Sequence, residues 1–370
     1  MADIKTHLRE LSVATKIGIL KDGIPIDDSD LYKSDVFYST AQRVISNSIS
    51  SAKNICSIDR YSGDYTDILS NGFRLGRYIY NNPSFIISKH DSIFWFGNDT
   101  QKDDLIDLQV GNYGFSLKEE SFILENMGLY KYLNLITNSN YGRGLHVFKT
   151  FSPVEYNNWF NYTWALLLSN PNWYSDNDGR YSSKIYESGN YIILNYDNEK
   201  VSKIPKNITS IDDFNDYTSS KTREKVFSKW INEVASFDIK YLSLKRICSE
   251  KAGATICSLI NKNLNPNNLT RLLQIYPKEY FYAKTNLYEM KVYKVPCLRD
   301  FYNVIKVKSV SYEVPSSQLN IITEIQNMIT DKSLLLRNEC RFSHGQFNGT
   351  PEAKMYYGRN EDLSSIYIPI

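Results

Sequence analysis

Asp103-Asp104-Leu105-Ile106-Asp107-Leu108-Gln109-Val110-Gly111-Asn112-Tyr113-Gly114-Phe115-Ser116-Leu117-Lys118 reads as a short β-hairpin with an acid on its first strand and a lysine on its second. Leu105 to Val110 is a strand candidate, Gly111-Asn112 supplies a tight turn, and Tyr113 to Lys118 runs back. With a two-residue turn, Val110 faces Tyr113 and Asp107 faces Ser116. Facing residues share a sheet face, and Lys118 lies two further along it. A four-residue turn centred on the same point keeps that parity. Asp107, Ser116 and Lys118 are therefore expected on one side. A carboxylate can hold a divalent cation, and a neighbouring lysine can steady an attacking water or a charged phosphate. The pair points to metal-dependent phosphodiester chemistry. The bland alternative is a solvated hairpin, because an acid and a lysine meet by chance on many sheets.

The hairpin resembles the core of the PD-(D/E)XK, or restriction-endonuclease-like, superfamily. That signature is an acid at a strand start, a turn, then an acid-x-lysine triplet on the next strand. The resemblance runs from Lys102 to Leu135. It includes Lys118-Glu119-Glu120-Ser121-Phe122-Ile123-Leu124-Glu125-Asn126-Met127-Gly128, which is similar to the region after the catalytic lysine in some restriction enzymes. The triplet here is Ser116-Leu117-Lys118, so a hydroxyl stands where the second carboxylate is usual, and Asp107 precedes it by less than the usual spacing. Some restriction enzymes carry Ser or Asn there. Asp104 gives a more ordinary spacing but points to the other face unless the hairpin is bulged. Glu119 or Glu120 is a candidate for the missing charge.

The resemblance implies a mixed α/β (α+β) fold, with a central mixed sheet flanked by helices and an added recognition lobe. It implies Mg²⁺ held by Asp107 and Asp104, with Lys118, Ser116 and Glu119 completing a catalytic group. The implied activity is site-specific cleavage of double-stranded DNA by a type II restriction endonuclease, with a cognate DNA methyltransferase as genetic partner. A C₂ homodimer is the geometric expectation for cutting a palindrome. In that family a helix before the sheet often adds an acidic or amide side chain, and Gln42 is the amide nearest the middle of a helix candidate over Val36 to Ala52.

Composition bounds the alternatives. The chain has 370 residues, 42% hydrophobic and 23% charged, with a net charge of +2, so a nucleic-acid binder must concentrate its basic residues locally. The 29 tyrosines, with frequent Asn, Ile and Lys, are explained first by an AT-rich coding sequence and only second by base stacking. Cys56, Cys248, Cys257, Cys297 and Cys340 are scattered and odd in number, which argues against a zinc site or disulfide framework. His7, His90, His146 and His344 form no metal motif, and Tyr141-Gly142-Arg143-Gly144 lacks the Lys-Ser/Thr of a phosphate loop. Met1-Ala2-Asp3-Ile4-Lys5 does not read as a signal peptide, and no apolar run is long enough to cross a bilayer. A cytoplasmic protein is expected.

Residues 1–200 are expected to hold the catalytic core and 201–370 a helical and β recognition region, unless the two form one composite domain. Helices are expected over Ile4–Val13, Val36–Ala52, Phe122–Ile136, the aromatic-rich stretch 155–175 with Trp173 and Tyr174 at its end, Lys221–Lys262 and Gln318–Leu336. Strands are expected at Ser84–Ser88, Ser92–Gly97, Tyr191–Tyr196, Tyr280–Lys284, Tyr288–Val295, Val304–Lys308 and Ser311–Val314, with a polar connector over Asn198–Thr218. The C-terminal stretch Leu336 to Tyr357 is the second informative patch. Arg337, Arg341, His344, Gln346, Asn348 and Lys354 gather there around Gly and Pro turns, and Arg, Asn and Gln are the side chains that read base edges. A closing strand pair with exposed polar residues accounts for the same pattern. Two further readings stand beside the restriction enzyme. One is a phage or mobile-element homing or repair nuclease on the same core. The other is a non-catalytic DNA-binding or structural interaction protein.

Overall fold

The structure is a computed structural model describing residues 4–56, 65–97, 106–118, 123–125, 128–177, 181–197, 200–265, 268–275, 278–285, 289–301, 304–349, 351–357 and 363–370. Among the described residues it is a mixed α/β architecture built on three sheets. The hairpin forms at the expected place: β1 (Ile93–Trp95), β2 (Leu108–Val110) and β3 (Tyr113–Lys118) are sequential antiparallel neighbours. Val110 pairs with Tyr113, and Gly111 carries the turn at φ +55, a backbone region open to glycine without strain.

β3 then pairs in parallel with β9 (Tyr280–Thr285), which leads to β10 (Met290–Val295) and β15 (Ile368–Pro369). The first sheet thus draws its strands from both sides of residue 200. Alternation along these strands divides two hydrophobic cores. Phe115, Leu117, Phe281, Ala283 and Val292 face a core shared with α1 (Ile4–Asp22), α2 (Ser34–Val44) and α3 (Tyr65–Asn81). Tyr280, Tyr282, Tyr293 and Val295 face the other core. Each buried Phe, Leu or Val side chain among these contributes roughly 2 kcal/mol of transfer free energy.

α1 runs nine residues beyond Val13. It is enclosed on nearly every side, so polar His7, Arg9, Glu10, Ser12, Thr15 and Lys16 are all buried. Ser12 and Thr15 return their hydroxyls to the Arg9 and Leu11 carbonyls, at 2.7 Å each.

The second core lies among α4 (Leu129–Thr137), α5 (Val147–Phe151), α6 (Pro153–Ser169), α7 (Ile211–Tyr217), α8 (Ser220–Thr222), a π-helical turn at Arg223–Phe227, α9 (Ser228–Glu233) and α10 (Ile239–Asn263). The aromatic helix forms over the first part of its expected span, where Tyr156, Trp159, Phe160 and Trp164 of α6 are buried against Phe148, Phe214 and Phe347, whereas Trp173 and Tyr174 lie on a strand beyond its end. The second sheet is ordered β11 (Ile305–Glu313), β12 (Asn320–Asn327), β13 (Ser333–Arg341), β14 (Glu352–Tyr357), β4 (Ile123–Glu125). The third is a meander of β5 (Trp173–Asn177), β6 (Tyr181–Ser188), β7 (Tyr191–Tyr196) and β8 (Lys200–Pro205).

Several expectations are overturned. Gln318–Leu336 is not a helix but β12, a turn and β13. Ile321, Thr323, Ile325 and Asn327 point inward at a period of two, and the β-branched run favours a strand. Phe122–Ile136 splits into β4 and α4, with Gly128 at the helix N-cap. Ser84–Ser88 makes no ladder, although Phe85 is buried against Phe115 and Phe281. The polar connector holds β8 and α7, the latter capped by the Ser210 hydroxyl accepting from Asp213 N–H at 3.0 Å. The Val36–Ala52 helix ends at Val44.

Candidate active site

Asp107 stands one residue before the first paired position of β2, where the strand peels away from β3. Its N–H donates to the Phe115 carbonyl at 2.9 Å. Its carboxylate then occupies the place where a backbone carbonyl would continue the ladder: Oδ2 accepts the Leu117 N–H at 2.7 Å and the Ser116 hydroxyl at 3.4 Å. The Lys118 ammonium stands 3.9 Å from the same oxygen, an ion pair beyond hydrogen-bond length. Asp107, Ser116 and Lys118 therefore meet at one point. Ser116 is buried, whereas Asp107 and Lys118 keep 24% and 29% of their side-chain surface open to a ligand.

A second carboxylate, Glu10 of α1, lies near enough for its charge to act on Asp107. Glu10 is buried, and its Oε2 accepts the Trp95 indole N–H at 3.0 Å and faces His7 Nδ1 at 3.4 Å. The chain after β1 closes over it, and a Cβ added at Gly97 would overlap Glu10 Oε2 and the Trp95 ring. The Asp107 carboxyl is raised from 3.8 to about 6. Burial is the main cause. The Lys118 charge, the Leu117 N–H and the Ser116 hydroxyl pull it down, and the negative charge of Glu10 pushes it up. The charge of Glu10 thus opposes ionisation of Asp107, and the Lys118 ammonium favours it.

No family model, curated protein or solved structure matches this chain.

The donor set suits a magnesium-type ion, which binds through one or two carboxylates and keeps several waters. Asp107 would supply one carboxylate, and Glu10, whose charge acts on Asp107, is the described acid that would supply a second; a dication would offset the part of the Asp107 shift that comes from Glu10. Among the described residues no group of three or more His, Cys, Asp and Glu forms a ready-made metal cluster. Asp104, Glu119 and Glu120, at the two ends of the hairpin, lie outside the described residues. Gln42 is exposed on α2 and donates to Tyr38 Oη at 3.2 Å, so α1 rather than α2 brings a side chain to the hairpin. Glu10, His7 and Trp95 were not singled out from the sequence. A usable signal existed: Glu10 is the only acid of α1 before its final residue.

The six C-terminal candidates divide into two groups. Arg337, Arg341 and Lys354 lie on the outer face of the β13–β14 pair, where Arg337 opposes Tyr356 and Lys354 opposes Glu339. Both guanidinium groups sit over the Tyr356 ring, at 5.2 and 5.6 Å. Charges there are interleaved: Arg341 pairs with Glu339 at 2.8 Å, and Lys354 with Glu352 at 3.9 Å. His344, Gln346 and Asn348 belong to the loop after β13, pinned to the core by Phe342 and Phe347. In that loop His344 faces Glu224 at 3.8 Å, Asn348 accepts from Arg223 Nε at 2.9 Å, and the Gln346 carbonyl accepts from Tyr156.

The arginine patch and the hairpin are joined by structure. Tyr356 pairs with Ile123 of β4, only five residues after Lys118, a stretch of chain that spans at most about 18 Å. On the inner route, Lys284 lies beside Lys118 in the parallel β3–β9 register, and its ammonium is 5.6 Å from the centre of the Tyr357 ring.

Proposed function

We propose that the chain is a Mg²⁺-dependent, site-specific endonuclease of double-stranded DNA, acting within a type II restriction–modification system. The observation that carries this reading is the convergence of the Asp107 carboxylate and the Lys118 ammonium at the open end of the hairpin, with Glu10 beside them. The triplet Ser116-Leu117-Lys118 carries one acid fewer than the family pattern it resembles, and α1 supplies a carboxylate at the same place.

Each residue has a definite task. The Leu117 N–H and Ser116 hydroxyl fix the orientation of Asp107 through Oδ2, so that neither of them engages Oδ1. Glu10, clamped by Trp95, adds the second anionic oxygen. Bound by these two, a divalent cation would neutralise charge gathering on the phosphate oxygens and acidify a bound water. Lys118 keeps an ammonium beside this position, where it orients the attacking water and offsets the charge developing on the scissile phosphate. Lys284 extends the positive edge along the next strand, and Arg337 and Arg341 offer planar donors to bases or phosphates further along. A second copy, bound as a C₂ dimer, would present two such centres to the two strands of a palindrome, and a DNA methyltransferase would be the genetic partner.

The direct test is incubation of plasmid and phage DNA with the full chain, in Mg²⁺ or in EDTA. Discrete fragments with Mg²⁺ alone support the reading. Intact DNA under all conditions rejects it in favour of a binding or structural protein.

A further inference from the structure

The third sheet has no part in the Asp107 centre, yet its outer face carries an ordered array. Ile185, Ile192, Leu194 and Ile204 turn inward to the core, so residues of the opposite parity turn out. Among these are Tyr174, Tyr186 and Tyr191, which are 57%, 39% and 37% exposed. Tyr174 opposes Lys184, and Tyr186 lies two residues beyond Lys184 on the same strand. Tyr186 in turn opposes Ile193, and Tyr191 lies two residues before it. Each tyrosine is therefore the diagonal neighbour of the next, about 7–8 Å apart in an antiparallel sheet. The three rings step in a line across three adjacent strands.

Two lysines lie on the same side of that line. The Lys184 ammonium is 5.6 Å from the centre of the Tyr174 ring, and that of Lys203 is 4.0 Å from the Tyr191 ring. Asp176 is the one acid of matching parity among the described residues of these strands. Exposed rings in a row offer faces to flat, unpaired bases, and ammonium groups along one flank offer charge to phosphates. A neutral glycan would use the rings and leave the lysines idle. A duplex would reach the lysines but keeps its base faces stacked internally.

We propose that this face is a stacking platform for an unpaired nucleic-acid strand. Bases lie on Tyr174, Tyr186 and Tyr191, and the backbone follows Lys184 and Lys203. The site is separate from the cleavage centre and does not rest on the nuclease reading.

Fluorescence anisotropy of a labelled oligothymidine tests it, with the full chain in EDTA so that no cleavage intervenes. Wild type should bind the single strand in preference to a duplex of equal length. Each single Tyr→Ala change at the three positions should weaken binding about tenfold or more, while Tyr→Phe keeps it. Lys184→Gln with Lys203→Gln should lower the slope of log affinity against log salt by about 1.4. Circular dichroism melts establish that each variant is folded, and the lysine pair is an independent probe should a tyrosine variant fail to fold. Equal affinity for duplex and single strand, or a folded triple alanine variant that binds like wild type, overturns the proposal.

Discussion

Replacing Asp107 by Asn tests the site through stability rather than activity. Burial first, and the charge of Glu10 beside it, lift the carboxyl from 3.8 to about 6 against the pull of Lys118. The folded chain therefore takes up a proton between about pH 4 and 6, stability falls as pH rises through that window, and the full cost is present above it. At about 1.36 kcal/mol per unit, the ionised group costs the folded state about 3 kcal/mol at pH 8. Asn retains an oxygen to accept the Leu117 N–H and carries no charge, so it removes that cost. The lost attraction to Lys118 is already contained in the raised value. With an unfolding entropy of about 2 cal/mol/K per residue over 370 residues, Asp107→Asn should raise the melting temperature by about 3–4 °C at pH 8. Near pH 4 the two proteins should melt almost together. Mg²⁺ closes most of the gap, because an ion at a hundred times its dissociation constant stabilises its binder by about 2.7 kcal/mol, close to the cost that Asn removes. Scanning calorimetry at pH 4 and pH 8, with Mg²⁺ or EDTA, reads all of this. A variant that melts at or below wild type at pH 8 in EDTA refutes the reasoning, as does an equal Mg²⁺ shift in both proteins.

Three further outcomes follow, two from the same contacts and one from the second sheet. Lys118→Ala should slow DNA cleavage by about a hundred- to a thousandfold while leaving duplex binding in Ca²⁺ within a few-fold, since the ammonium acts on charge that develops during reaction. Binding and cutting that fall in parallel contradict it. Glu10→Gln can still accept from the Trp95 indole but lacks the charge. It should lower the Asp107 carboxyl from about 6 toward its ordinary value, visible by carboxyl NMR titration, and should raise the Mg²⁺ requirement about 10- to 100-fold. An unmoved titration removes Glu10 from the site. Asn338 is buried, and neither amide atom has a hydrogen-bond partner. Asn338→Leu should therefore stabilise the fold by about 1–3 kcal/mol in a denaturant melt, and a loss would show that the amide is partnered.

Legibility of the fold followed the reach of each signal. The β2–β3 hairpin was readable because Gly111 and the parity around it decide the pairing within a few residues. The α6 aromatics were readable because their helical spacing matches the face they bury. Gln318–Leu336 misled because Ile321, Ile322 and Ile325 satisfy a helical stripe as well as an alternating strand, and only the β-branched run and the turn before Ser333 separate the two. The β4–α4 boundary failed because β4 is three residues long and gains its place by pairing with β14, which lies far along the chain. The joining of β3 to β9 was equally invisible, since nothing local at Ser116 specifies Tyr282 as its neighbour.

The site divides along the same line, for a physical reason. Asp107 and Lys118 must come from adjacent strands, because a separation of 3.9 Å between an acid and an ammonium is produced directly by ladder geometry, and ladder geometry is written in the hairpin itself. The second carboxylate carries no such constraint. Any element that packs against the end of the hairpin can deliver it, so its position in the sequence is arbitrary. In this chain the position two residues before Lys118 is constrained in another way: Ser116 is buried and spends its hydroxyl on Asp107. A carboxylate there would place a third negative charge in the same enclosure, beside Glu10 and Asp107. The serine and the buried glutamate are two halves of one arrangement. Ser116→Asp alone should therefore destabilise the folded chain, and Ser116→Asp with Glu10→Gln should recover part of that loss. A double-mutant melt showing simple additivity would break the link between them.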